Sequence, residues 1–198
     1  MTPEPLNALL NVIDVEATCW EGPPPAGQVS GIIEIGVCVL DLRTLERVER
    51  RSLIVRPERS QVSSFCTALT SLTPEVVAAG LTFPEACGML RRDYRSDSRP
   101  WASWGEYDRR QFQRQAGQAP FPFGARHTNA KAVYAAAFGL PRPGMAQALM
   151  HAGLPLVGTH HQGGDDAWNI AALITHLVRQ GHWPAAAAVV PGGHRWAA

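Results

Sequence analysis

Apolar positions follow two rhythms along this chain: dense runs in the first third, helical spacing in the rest. The run ALLNVIDVEA (8–17) is apolar with embedded carboxylates and predicts a buried strand. A Pro/Gly-rich loop follows at 21–27, then IIEIGVCVLDL (32–42) predicts a second strand and 48–55 a third. Turns near Arg43 and Pro57 make these three an antiparallel meander. Beyond Pro57 the spacing becomes helical, and Thr73-Pro74-Glu75 has the form of a helix start, with Thr as N-cap and Pro in the first turn. Amphipathic helices are expected over 83–94, 106–115, 145–152 and 165–180. A short strand is expected at 100–104, and a strand end leading into a helix over 127–134. A loop rich in Pro, Gly and aromatics occupies 117–123, and an Ala/Pro/Gly-rich tail 182–198. Strands first, then helices with further strands, imply an α/β fold: one domain over 1–181, a mixed sheet flanked by helices.

Composition narrows the class. The chain has 198 residues, 45% hydrophobic and 18% charged, the proportions of a folded globular domain. The longest apolar runs are too short to cross a bilayer. The N-terminus lacks the basic-then-apolar pattern of a secretory leader, and Cys19, Cys38, Cys66 and Cys87 show no C-x-x-C pairing. Reduced thiols in a cytoplasmic protein are therefore expected, with no membrane and no obligate protein partner. A net charge of +1 weighs against a long nucleic-acid footprint, which phosphate neutralisation would normally make basic. It leaves room for a protein that holds a few terminal nucleotides with the help of bound cations.

Candidate chemistry lies in the carboxylates. Asp14 and Glu16 stand two apart in a strand, so both project from one face while Ile13 and Val15 project from the other. Two acids on a buried face are costly unless a cation neutralises them, and Mg²⁺ favours such carboxylates together with phosphate oxygens. The bland alternative is a solvated edge. In THHQGGDDAWNIAALI (159–174), Asp166 shares a helical face with Ile170, Leu173 and Leu177, and Gly163 and Gly164 allow a sharp turn that brings His161 beside it. Asp165 and Asp166 serve equally well as dipole partners of a helix start, and the histidines as an exposed polar loop. Asp108, just past the short strand at 100–104, competes with Glu106 for any role there. The stretch 91–114 holds seven arginines among four acids and reads as a solvated helical face rather than a phosphate track.

The combination is more specific than its parts. D-x-E on the first strand, an Asp after a later strand, then H-x-x-x-x-D resembles the DEDDh group of 3′–5′ exonucleases, which have a ribonuclease-H-like fold. DVEATCW (14–20), IIEIGVCVLD (32–41), SSFCTALTSLTPEVV (63–77) and HQGGDDAWNIA (161–171) resemble its branch of enhanced-RNAi exoribonucleases and KapD-like bacterial proteins. Two departures, Ser71 where Gly is usual and the Gly-Gly before Asp165, leave the metal-site acids untouched.

The resemblance implies that Asp14, Glu16, Asp108 and Asp166 hold two Mg²⁺ (or Mn²⁺) ions about 4 Å apart, with Asp108 acting through water. It also implies that His161 is the general base, His160 being its rival without the five-residue step to Asp166. The substrate implied is single-stranded or 3′-overhanging nucleic acid, RNA in preference to DNA. Ala17, Thr18 and Trp20 would lie against the terminal nucleotide, and Leu69 against the last base. A core or rim position is the alternative for Trp20. The competing functional class is a catalytically silent nucleic-acid-binding module on the same fold, which the presence of all five site residues disfavours.

Overall fold

A computed structural model describes residues 9–115 and 117–184; most of the tail expected at 182–198 lies outside the described residues. Five strands form one sheet in the order β3-β2-β1-β4-β5. β1 (Leu9–Ala17), β2 (Ile32–Asp41) and β3 (Arg47–Ile54) are the antiparallel meander. β4 (Trp101–Ser103) and β5 (His127–Asn129) add parallel to β1. The helices are α1 (Ser64–Thr70), α2 (Pro74–Ala78), α3 (Phe83–Tyr94), α4 (Tyr107–Arg114), α5 (Ala130–Phe138), α6 (Met145–Ala152) and α7 (Gly163–Arg179). The mixed sheet flanked by helices is the architecture the sequence pattern predicts.

Alternation along β1 divides the core in two. Ile13 and Val15 join Ile35, Val37, Phe83, Leu90 and Phe112 in a cluster shared with α3 and α4. Leu10 and Val12 join Cys38, Leu40, Tyr134, Leu149 and the apolar face of α7 on the opposite side of the sheet. On α7, Ile170, Leu173, Ile174 and Leu177 are all fully buried. Each such side chain contributes roughly 1.5–3 kcal/mol relative to an exposed one. Most of what keeps α7 on the sheet therefore lies in its middle and end, which leaves its first turn available for polar work.

Two local features differ from expectation. α7 starts at Gly163, earlier than 165, and its glycines do not make the turn: His161 does, with φ 66°. The glycines serve close approach instead. A Cβ on Gly36 of β2 would lie 1.8 Å from the Gly163 carbonyl oxygen, and one on Gly164 would lie 2.5 Å from Ser52 Oγ. The first turn of α7 thus rests on the backbone of the meander, where only glycine leaves space. The second feature is α1, which the helical spacing beyond Pro57 does not delimit; Ser63 caps it by accepting the Cys66 N–H, and Cys66 is buried with Ile33 and Val77.

Candidate active site

Four acids from three elements meet at one end of β1. Asp14 and Glu16 continue the face that Leu10 and Val12 begin, and Asp166 arrives from the first turn of α7. Single oxygens of Asp14, Glu16 and Asp166 lie within 4.8 Å of one another. Asp108, the second residue of α4, is buried, and its Oδ1 accepts the Val15 N–H at 3.0 Å, which ties it to β1 between the other two acids. It stands outside the tight group of three. Glu106, its rival in the sequence, spends its carboxylate elsewhere, accepting from Asn129 Nδ2 at 3.1 Å and pairing with Arg109 at 3.7 Å.

Sequence reasoning alone misses a fifth acid. Glu34 on β2 faces Glu16 across the ladder and is 3% exposed. Its carboxylate accepts the N–H groups of Gly163 at 2.9 Å and Gly164 at 3.4 Å, so a strand residue caps α7 from 129 residues away. A lone Glu two positions before a Gly in an otherwise apolar strand is the signal that marks it.

So many carboxylates in one place resist ionisation. Burial first, then the charges of Asp108, Asp166, Glu16 and Glu34, holds Asp14 well above the ordinary carboxylate range. Glu16 is pushed up to about 8 by burial and then by Asp166, Glu34 and Asp108. Asp108 is raised to about 6 by burial, against the opposing hydrogen bond from Val15. Asp166 is raised by burial and drawn back by His160 and by the His161 N–H.

Asp166 shows how the group is arranged. One oxygen, Oδ2, accepts from His160 Nδ1 at 2.8 Å and from the His161 N–H at 3.0 Å. The other, Oδ1, is buried and has no hydrogen-bond partner among the described residues. An orphaned buried carboxylate oxygen beside two further acids fits a divalent cation, which accepts several carboxylate oxygens at once.

Both histidines reach this group. The left-handed backbone at His161 stacks the two rings, centroids 3.9 Å apart and planes at 16°. His161 Nδ1 lies 4.0 Å from Glu16 Oε1, whereas the ring of His160 is the one bonded to Asp166. Burial and the neighbouring His160 lower the pKa of His161. The loop that carries them is fixed from α7. Asn169 clamps Val157 through its N–H and its C=O, and Asp165 accepts the Thr159 N–H at 2.7 Å while pairing with Arg50 at 2.8 Å.

The expected substrate contacts divide. Trp20 is half-buried and Leu69 is 39% exposed, joined on α1 by Phe65 at 42%, an i, i+4 neighbour that lies in the same 63–77 motif but is not singled out by the resemblance. Ala17 is buried, and its carbonyl accepts the Cys66 S–H that seats α1 beside the end of β1. Thr18 departs from expectation. It is 1% exposed, its Oγ1 sharing a hydrogen bond with Ser60 and accepting the Gly31 N–H, so it braces the loop instead of presenting its side chain outward.

Comparison with known proteins points the same way. The sequence profile of a family described as exonuclease matches residues 12–174. The human protein named 3′–5′ exoribonuclease 1 is 31% identical over 183 residues, covering 86% of this chain and 52% of its own length. The 3′–5′ exonuclease Snipper of Drosophila melanogaster is 27% identical over 194 residues, covering 85% of this chain and 69% of its own. This chain thus spans about half the length of the human relative. Among solved structures, a full-length 3′-exonuclease superimposes with a TM-score of 0.81 at 29% identity, over 89% of this chain and 62% of that one. The nuclease domain of 3′hExo, described as a DEDDh family member bound to rAMP, gives 0.78 at 29%, over 88% and 94%.

Proposed function

The chain belongs to the exonuclease family, and on that premise we propose that it is a metal-dependent 3′–5′ exonuclease that removes 5′-mononucleotides from single-stranded or 3′-overhanging RNA. The observation that carries this reading is the Asp166 carboxylate, which has an oxygen within 4.8 Å of Asp14 and Glu16 and a buried Oδ1 with no hydrogen-bond partner among the described residues. The sugar preference rests on the relatives named as exoribonucleases and on the neighbour bound to rAMP.

Asp14, Glu16 and Asp166 would hold two Mg²⁺ or Mn²⁺ ions directly, and Asp108, anchored to the Val15 N–H, would act through an intervening water. Bound there, the cations supply the charge that acidifies the attacking water and steadies the leaving 3′-oxygen. His161 takes the proton of that water. Its lowered pKa keeps the imidazole neutral near pH 7, and its place beside Glu16 sets it at the edge of the carboxylate group. Water attacks the terminal phosphorus in line, the bond to the 3′-oxygen of the penultimate nucleotide breaks, and that oxygen takes a proton from solvent as it leaves. His161 gives its own proton back to solvent before the next turnover. His160 positions Asp166 through its 2.8 Å hydrogen bond, and Glu34 holds the first turn of α7 that carries Asp166. Trp20, Leu69 and the backbone of Ala17 receive the terminal nucleotide, the half-buried Trp20 offering a flat face on which any base can stack and the exposed Leu69 an apolar wedge against the last base.

The test is digestion of matched 3′-labelled and 5′-labelled single strands of RNA and DNA with Mg²⁺, Mn²⁺ or EDTA. Metal-dependent release of the 3′ label as mononucleotide, with a ladder from the 5′-labelled strand and RNA cut faster, is expected. A folded protein that cleaves neither strand would return the reading to a silent binding module.

A further inference from the structure

The arginine run that reads as a solvated face in the sequence is mostly consumed by structure. Arg91 donates to the carbonyls of Pro120 and Phe121, Arg92 pairs with Asp93, Arg99 bonds Asn11 and Arg109 pairs with Glu106. Two members are different. Arg110 and Arg114 lie on α4 four residues apart, on one helical face with Tyr107, and they line a cavity of about 290 Å³. Lys131 from α5 and Arg142 from the loop after α5 line the same cavity. Four cations from three segments therefore converge on one concavity of a protein whose net charge is only +1.

No acid balances them. Glu106 is the one carboxylate in the lining, and it is already engaged by Asn129 and Arg109. Among the described residues, Arg110, Lys131 and Arg142 make no ion pair. Converging, unpaired cations repel one another, and a concave wall concentrates their field on whatever anion enters.

The cavity also lies next to the candidate active site. Asp108 precedes Arg110 on the same helix by a rise of about 3 Å and Arg114 by about 9 Å. Tyr107, which lines the cavity, has the pKa of its phenol raised first by burial and then by the nearby carboxylates of Glu16 and Asp108.

We propose that the cavity formed by Arg110, Arg114, Lys131 and Arg142 binds backbone phosphates of the substrate strand upstream of its terminal nucleotide. The proposal rests on the exonuclease reading for its direction: once the 3′-terminal nucleotide occupies the carboxylate end, every other phosphate of the strand lies on its 5′ side. The cavity recognises phosphate, so it contributes affinity without sequence choice.

The test is binding of a short 5′-fluorescent single-stranded RNA of about 12 nucleotides, with phosphorothioate linkages at its 3′ end to resist cleavage, measured in Mg²⁺ from about 50 to about 200 mM salt. Arg110→Ala/Arg142→Ala should weaken binding several-fold, equally on A-rich and U-rich strands. It should also flatten the slope of log affinity against log salt by about 0.7 for each phosphate that is no longer neutralised. Arg110→Lys/Arg142→Lys should recover most of that slope. Protection against thermal unfolding by a free 5′-mononucleotide, which has no upstream phosphate, serves as the control for fold and terminal site. Lys131→Ala alone provides an independent arm should the double variant lose that protection. Unchanged affinity and slope in either folded variant would overturn the proposal. Failure of the exonuclease reading would show separately, as wild-type protein that releases no nucleotide from an unmodified strand.

Discussion

One face of β1 has two halves of opposite character. At Leu10 and Val12 the face is apolar and meets the buried stripe of α7 with Ile170, Leu173, Ile174 and Leu177. Four residues on, at Asp14 and Glu16, the same face meets the other end of the same helix, and the contact is carboxylate against carboxylate. The apolar half releases free energy when it closes, whereas the acidic half stores electrostatic repulsion that a cation can relieve. The strand and helix are thus locked together at one end so that the other can hold charge in a fixed place. Stability and chemistry should therefore respond separately to substitution.

The sharpest break is Asp14→Ala. It removes a proposed metal ligand and relieves repulsion among the remaining acids together. Hydrolysis of a labelled RNA should fall below detection, while the melting temperature measured in EDTA stays level or rises. A variant that keeps near-wild-type turnover would sink the assignment of the acidic half. Next is His161→Ala, which leaves the carboxylates and the Asp166–His160 hydrogen bond in place. Loss of a general base lowers the rate by about 10²–10⁴-fold. The loss should appear in kcat rather than KM, with Mg²⁺ binding retained by calorimetry.

The apolar half is tried by Leu173→Ala. Leu173 is fully buried, so truncation leaves a cavity and costs about 2–5 kcal/mol in denaturant unfolding. Because the first turn of α7 is held separately by Glu34 and the Gly36 contact, kcat at a temperature where the variant is folded should change less than twofold (~0.4 kcal/mol). A large fall in kcat would mean that the two halves are mechanically coupled.

What the sequence made legible follows the same division. Local signals carried the elements: dense apolar runs located β1 to β3, and the Thr82 capping box with Glu85 sets the start of α3 where the amphipathic pattern begins. Strand parity pairs Asp14 with Glu16, but the full set with Asp108, His161 and Asp166 comes from the family resemblance; the structure gathers all five at one end of β1. The contacts that were not legible are long-range or conformational. Glu34 meets α7 across 129 residues, and its local signal, a lone acid in an apolar strand, does not say what it meets. Gly163 and Gly164 suggested a turn, whereas the structure uses their missing side chains for approach to β2 and bends the chain at His161. Thr18 sits in a motif next to the D-x-E pair, but the orientation of its hydroxyl toward Ser60 depends on a loop that no periodicity encodes.

The smallest expected effect tests the stored repulsion itself. Glu16 has its pKa raised to about 8 from an ordinary value near 4.5, and Asp14 and Asp166 are raised as well. A group whose pKa rises on folding binds more protons in the native state than in the unfolded one, so stability must fall as pH climbs between those two values. The metal-free protein should accordingly lose stability as pH climbs from about 4.5 to about 8, the window being set by Glu16. A divalent cation reverses the sign of the effect, because it binds the ionised acids of the folded state and has no comparable site in the unfolded chain. At a Mg²⁺ concentration about 100-fold above its dissociation constant the gain is about 2.7 kcal/mol, and less at lower saturation. The gain should be larger at pH 8 than at pH 5, and Asp14→Asn should diminish both the acid-side slope and the Mg²⁺ response. If thermal unfolding in EDTA proved flat over this range while Mg²⁺ stabilised equally at both pH values, the acids would already be ionised in the free protein. The acidic half of β1 would then be held by contacts with the surrounding chain rather than poised for a cation.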